Sequence, residues 1–391
     1  MTRILIDCTR TVQAGLHTGI QRVVRQTLCH GTAAAHGDGP PAIPVMLQRG
    51  RFVAVPRVDP HPFEHAQPIV STERGPITFT EHDVLLLADA AWHANGIALA
   101  AHHAHNEGAR IVPLVHDLIS IQFPQWFDAG VGARFRAFLD AVLPIADRVV
   151  SVSHTTDRAL LGYLHAHEQP SLRALAETLV RHVNPPGADA GEEPGVLPVS
   201  PRVRAVFDTT HACLIQVGSI EPRKNHDLVL DACEMAWNEG AQLRLVLIGA
   251  HGWKMAHFAD RLARHPQLDR NLFHLQHVTD ADLAHAYGEA TASIHASTTE
   301  GFGLPIAEAG RFRVPVLLSD TPIHREVGGP HATYYPLKDR SALAALLAKA
   351  ARGGMAFERN WARPGQHRSW AQSTGALIAL LAQRTASSIA A

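Results

Sequence analysis

The sequence predicts an α/β protein built as two parallel-sheet domains. Three observations predict it. Short apolar runs alternate with longer amphipathic stretches through most of the 391 residues, the pattern of repeated strand–helix units. The pattern breaks at 184–202, where NPPGADAGEEPGVLPVSPR holds five prolines and three glycines and reads as a loop or linker. A fresh series of the same kind then begins. A chain of this length suits two domains of ordinary size. They are expected over about 1–202 and 203–365, with a last helix over 366–391.

In the first series, residues 4–8 (ILIDC) read as a strand leading through a loop to a helix over 19–29. Thr18 and Gln21 have capping-box spacing, which starts that helix near Gly19. Residues 84–88 (VLLLA) and 111–115 (IVPLV) read as buried parallel strands, and 148–153 (RVVSVS) follows a helix over 131–146. In the second series, CLIQVG (213–218), LRLVLI (243–248), a run at 272–276, ASIHA (292–296) and VPVLLS (314–319) are strands. Helices are expected over 224–239, 280–289, 305–312 and 340–352, then a loop over 353–364. The last helix starts near Ser369, with an apolar stripe through Trp370, Leu377, Leu380 and Leu381. In open parallel sheets, ligands bind beyond the carboxyl ends of the strands. Two such domains facing each other would place a ligand in a central cleft.

Composition narrows the partners. The chain is 46% hydrophobic and 18% charged, with net charge −1. Residues 1–200 carry 15 arginines, no lysine and 19 acids, net −4; the rest carries 20 bases and 17 acids, net +3. Neither half has the bulk charge of a polyanion-binding surface, so nucleic acid is disfavoured, and so is a purely electrostatic membrane anchor. No run approaches 20 uninterrupted apolar residues. The start, MTRILIDCTR, reads into a strand and lacks the apolar core of a signal peptide. Cys8, Cys29, Cys213 and Cys233 have no C-x-x-C spacing and are expected as reduced thiols of a cytoplasmic protein. The 27 histidines are scattered without metal-ligand spacing.

The most informative stretch is STTEGFGLPIAEAG (297–310). Glu300 lies in the loop after a strand, and Glu308 lies one turn into the helix that Pro305 opens. Gly301 and Gly303, on either side of Phe302, let the backbone approach a ligand closely. The helix start offers unpaired N–H groups. Carboxylates accept well from sugar and ribose hydroxyls, so the pair suits a sugar nucleotide. Arg223 and Lys224 follow the strand ending near Gly218 and suit phosphate oxygens. In the first domain, Gly15 and Gly19 would permit close approach by a phosphate or an acceptor. Arg22 and Arg25 are either cleft residues or a solvated helix face. His116 and Asp117 stand just beyond the strand 111–115, and Asp117 could simply cap the next turn. Ser153 is either a strand-end site residue or a helix N-cap.

At E-G-F-G-L-P-x-x-E-A the chain resembles the retaining glycosyltransferases of the GT-B fold, family 4, with their E-x7-E motif. VGSIEPRKNHDLVLDA (217–232), LIGAHGW (247–253), VTDADLAHAYGEA (278–290) and VPVLLSDTPIHREVGG (314–329) follow that family's order. GLHTGIQRVVRQ (15–26) resembles TGIxRVVR segments of bacterial mannosyl- and rhamnosyltransferases that assemble O-antigen or capsule polysaccharide. The resemblance implies two Rossmann-like domains facing a cleft, the last helix crossing back to the first domain. It implies that Arg223 and Lys224, with Gly218, bind the donor diphosphate. Glu300 positions the donor sugar, Glu308 the ribose hydroxyls, and Gly303 and Leu304 give backbone contacts. His116 contacts the donor sugar at the catalytic centre. The donor is a nucleoside-diphosphate hexose, GDP-mannose first, and the acceptor a glycan or polyprenyl-linked glycan, so peripheral contact with the inner membrane face is plausible.

Asp280-Ala281-Asp282 imitates the D-x-D metal motif of another glycosyltransferase fold, but it opens a helical run where acids are expected. No metal and no further cofactor are therefore expected. Two other readings stay open: a sugar-nucleotide epimerase or hydrolase on the same plan, and a non-catalytic nucleotide-binding partner. Of these, transfer alone needs an acceptor. The non-catalytic partner should lack Lys224, Glu308 or His116, and all three are present.

Overall fold

The computed structural model describes residues 2–14, 18–34, 40–59, 68–189, 198–353 and 367–384. Gly15, residues 190–197 of the expected linker and residues 354–364 of the expected loop lie outside them. The chain divides into two units. One holds the described residues up to Gly187 and those from Arg368 onward; the other holds the rest.

The first unit is built on a seven-stranded sheet. Its order is Arg51–Ala54, Ala42–Gln48, Arg3–Asp7, Asp83–Leu87, Arg110–Val115, Val149–Ser151 and Arg181–Val183. All neighbours are parallel except the outer hairpin of Ala42–Gln48 with Arg51–Ala54. The sequence reading has no element there, because Pro40, Pro41 and Pro44 interrupt the apolar run. Leu5, Leu85, Leu87 and Ile111 pack with Ile97, Phe135 and Leu139 in one core. The helix Gly19–Ala34 starts where Thr18 and Gln21 predict, and their side chains hydrogen-bond.

The last helix, Trp370–Ala382, belongs to this unit and packs on the helix Gly19–Ala34 and the strand Arg3–Asp7. Its buried stripe is Trp370, Leu377, Ile378 and Leu381; Leu380 is only half-buried, so Ile378 takes the place expected for it. Gly187 makes the join possible, since a Cβ there would sit 2.3 Å from the Trp370 backbone nitrogen. Arg148 donates to the carbonyls of Leu380 (2.9 Å) and Gln383 (2.7 Å), and Arg110 also donates to Gln383. These are the carbonyls a helix leaves without partners, and cations suit that end.

The second unit begins at Ala188, earlier than residue 203, because Ala188 and the helix Pro201–Phe207 bury apolar side chains in its core. Six parallel strands run in the order Leu272–Leu275, Leu243–Ile248, Ala212–Val217, Ala292–His295, Val316–Ser319 and Thr333–Tyr335. Alternate residues face opposite layers, as in a sheet covered on both sides. Leu214, Leu245 and Leu247 meet Val229, Leu230 and Leu343 on one face. Ile215, Val246 and Ile248 meet Tyr287, Ile306 and Ile323 on the other. Among the described residues, no helix is long and apolar enough to cross a membrane.

Candidate active site

The strand Ala212–Val217 ends at Gly218, whose φ of +136° few side chains adopt. A Cβ there would stand 3.3 Å from Lys224 Cε and Nζ, so the missing side chain gives Lys224 its place. Arg223 and Lys224 lie in a short 3₁₀ turn, Pro222–Lys224, and not in the helix expected from 224. That helix starts at His226, after Asn225 takes a left-handed φ of +53°. The Asn225 amide donates to Ala296 O (2.9 Å) and Thr298 Oγ1 (3.1 Å), and Gln216 donates to Lys224 O (3.0 Å). The basic turn is thus tied to the segment that follows the strand Ala292–His295.

That segment carries Glu300, which is 8% exposed. Lys224 Nζ donates to Glu300 Oε1 at 2.5 Å, Arg223 pairs with Oε2, and Ser297 Oγ donates to Oε1 at 2.7 Å. Burial alone would push the Glu300 carboxyl up. The charges of Arg223 and Lys224, with the hydrogen bonds from Lys224 and Ser297, hold it far below the ordinary range. The Arg223 guanidinium also pairs with Glu221 at 2.6 Å. Glu221 is buried and its carboxyl is pushed up by burial, against the pull of Arg223 and Lys224. Two acids and two bases therefore share one buried cluster.

Gly303 caps the next helix with φ +94°, and Leu304–Arg311 follows with Pro305 in its first turn. Glu308 is buried in it and accepts from the Tyr287 hydroxyl at 2.9 Å. Phe302, expected at the donor site, is half-buried and packs its ring against the core. Of the predicted residues, Gly218, Arg223, Lys224, Gly301, Phe302, Gly303, Leu304, Glu300 and Glu308 belong to the second unit. Gly19 and His116 belong to the first.

In the first unit, His116 follows the strand Arg110–Val115 and is buried. Its Nε2 lies 2.7 Å from the Ala88 carbonyl and must donate to it. Burial holds its pKa below the ordinary value, which favours the neutral ring, with its lone pair at Nδ1. Asp117 accepts from the Ile119 N–H at 2.9 Å, the capping use of that side chain. Ser153 caps the helix His154–His165 by accepting from the Thr156 N–H. Arg25 is buried at 6% exposure, so it is no part of a solvated face. Asp89, beyond the strand Asp83–Leu87, accepts from the N–H groups of Thr11 (2.5 Å) and Ala90 (2.7 Å) and from Gln21 (3.2 Å).

The D-x-D look-alike is explained locally. Asp280 and Asp282 lie in the first turn of the helix Asp280–Glu289, and Asp282 completes a capping box with Thr279 while accepting from the Ser200 N–H at 2.7 Å. The sequence reading missed Glu221, Asn225, Ser297 and Tyr287. Only Asn225 carried a signal, as an Asn ahead of a helix, suited to the left-handed region.

Residues 202–367 match the family described as "Glycosyl transferases group 1". A serotype-specific mannosyltransferase, WbdA, of Escherichia coli is 28% identical over 388 residues, which is 96% of this chain and 44% of that protein. The O-antigen chain mannosyltransferase B of Escherichia coli is 31% identical over 141 residues, 35% of this chain and 36% of that protein. The chain spans less than half the length of the curated relatives it matches. Among solved structures, Anabaena Alr3699/HepE in complex with UDP and glucose superposes with a TM-score of 0.64 at 14% identity. The match covers 98% of this chain and all of that one. Sucrose-phosphate synthase of Thermosynechococcus elongatus gives 0.59 at 16% identity, over 100% and 97% of the two chains. Residues 202–367 thus match the group 1 glycosyltransferases, in a chain that has the GT-B fold and resembles the O-antigen mannosyltransferases.

Proposed function

We propose that the chain is a retaining hexosyltransferase. It would move mannose, or next a deoxyhexose such as rhamnose, from a nucleoside-diphosphate sugar to a hydroxyl of a glycan or polyprenyl-linked glycan. GDP-mannose is the first donor to try, and the setting is surface-polysaccharide assembly at the inner face of the cytoplasmic membrane. One observation carries this reading: a buried carboxylate, Glu300, gripped by Arg223, Lys224 and Ser297. A carboxylate so stabilised is a weak base and a weak nucleophile. It suits holding sugar hydroxyls, not a double displacement. Arg223 and Lys224 would turn to the diphosphate as the bond from the anomeric carbon to phosphate oxygen breaks and charge grows there. The acceptor oxygen attacks from the same face, and its proton passes to the leaving phosphate. The neutral His116 would contact the donor sugar, and Glu308 the ribose hydroxyls.

A binding screen of nucleoside diphosphates and their sugars, with and without EDTA, tests the donor. Tight, EDTA-insensitive binding of one nucleotide, weakened about 10-fold or more by Glu308→Ala, is expected. Proton NMR of the first-formed product tests the stereochemistry: an inverted anomer would sink the retaining mechanism.

A further inference from the structure

The helix Asp280–Glu289 has no assigned part in donor binding, yet it sends a polar group to the E-x7-E segment. Tyr287 is fully buried. Its ring stacks on Phe312, with centroids 5.3 Å apart and planes 13° from parallel. Its hydroxyl lies 2.9 Å from Glu308 Oε2 and 3.3 Å from the Pro305 carbonyl. A phenol has one proton to give. The Glu308 oxygen is the nearer of the two acceptors. The base of the tyrosine is fixed as well: Thr279 and Asp282 cap its helix, and Asp282 reaches the Ser200 N–H. The phenol is therefore held by stacking on one side and a capped helix on the other, and its direction is set before any ligand arrives.

We propose that Tyr287 is a positioning residue for donor recognition: it fixes the plane of the Glu308 carboxylate so that the group meets the ribose hydroxyls. The inference rests on the reading of Glu308 as the ribose holder. Glu308 is 2% exposed, and a carboxylate that deep needs donors to stay in place. With one oxygen given to Tyr287, the side chain loses the rotamer freedom it would otherwise surrender on binding.

The test is a cycle between one protein hydroxyl and the ligand's hydroxyls. Wild type, Tyr287→Phe and Glu308→Ala are titrated with GDP and 2′,3′-dideoxy-GDP, and in parallel with UDP and its dideoxy form. Tyr287→Phe keeps the ring against Phe312. It should weaken the preferred ribonucleotide about 10-fold and leave its dideoxy analogue within about 2-fold of wild type. The donor KM should rise by a similar factor while kcat holds. Equal weakening of both nucleotides, or of neither, overturns the positioning role when Glu308→Ala has lost the wild-type preference for the ribonucleotide. If Glu308→Ala still prefers the ribonucleotide as strongly as wild type does, or wild type binds neither GDP nor UDP, the reading of Glu308 falls and this inference falls with it. The comparison is a ratio within one variant, so a lower melting temperature does not obscure it.

Discussion

Each unit gathers buried polar side chains beyond the carboxyl ends of its parallel strands, and the two clusters are stabilised by different means. In the first unit, Asp7 and Asp89 are both buried, with neutral partners: Thr9 for Asp7; Thr11, Ala90 and Gln21 for Asp89. Asp7 Oδ2 is buried with no partner among the described residues. Burial and then the charge of Asp89 push the Asp7 carboxyl up to about 7. In the second unit, Glu300 is also buried, but Arg223 and Lys224 pull its carboxyl the other way. Burial is common to both, so the sign of the shift is decided by the neighbours. Among the described residues, Glu300 of the second cluster is ion-paired to Arg223 and Lys224, cations that could take up the charge of a leaving diphosphate.

The largest effect should come from removing one of those cations. Lys224→Met is expected to lower turnover about 10²–10³-fold and to cost about 3–5 kcal/mol of stability, since it breaks a buried ion pair. Steady-state kinetics and denaturant unfolding read the two. Activity near wild type would mean that the second cluster is structural like the first.

The next effect is one of pH. A raised carboxyl binds its proton more tightly in the folded state, so the Asp7 contribution is full below its ordinary value of 3.8 and is lost as pH rises towards 7. Melting temperature should fall over that window, with a slope of at most about 1.4 kcal/mol per pH unit. Asp7→Asn should flatten the slope. Glu300 has the opposite sign: its contribution is present above the ordinary 4.5 and is lost as pH falls below it. An unchanged slope between pH 4 and 7 in Asp7→Asn would remove the proposed contrast. The smallest effect is expected from Ser297→Ala, which takes one hydrogen bond from Glu300 and leaves both ion pairs. A fall in kcat of about 10-fold, against the larger loss in Lys224→Met, would rank the two kinds of support.

Some of this was legible in local spacing. Thr18 with Gln21, Ser369 ahead of the last helix and Asp280–Asp282 after Thr279 mark helix starts through contacts of three residues' reach. Gly303 and Pro305 announce the turn that carries Glu308. The hairpin Ala42–Gln48 with Arg51–Ala54 was not legible, because its prolines are tolerated only by the pairing around them. The burial of Arg25 was hidden too, since charge on a helix reads as a solvated face until neighbours cover it.

The sequence by itself determined the two α/β series, the residue types at the strand ends and the order of the donor-side motifs. Hydrophobic periodicity and turn chemistry act over a few residues, so they can be read along the chain. Tertiary structure decided how those residues pair. Glu300 meets Arg223 and Lys224 across more than 70 positions, and Glu308 meets Tyr287 across 21. Such pairs depend on which strands become neighbours, and no local spacing encodes them. The same holds for the return of the last helix to the first unit, where Gly187 yields to Trp370. Chain entropy opposes closing a loop of that length, and the buried stripe of Trp370, Leu377, Ile378 and Leu381 works against that cost.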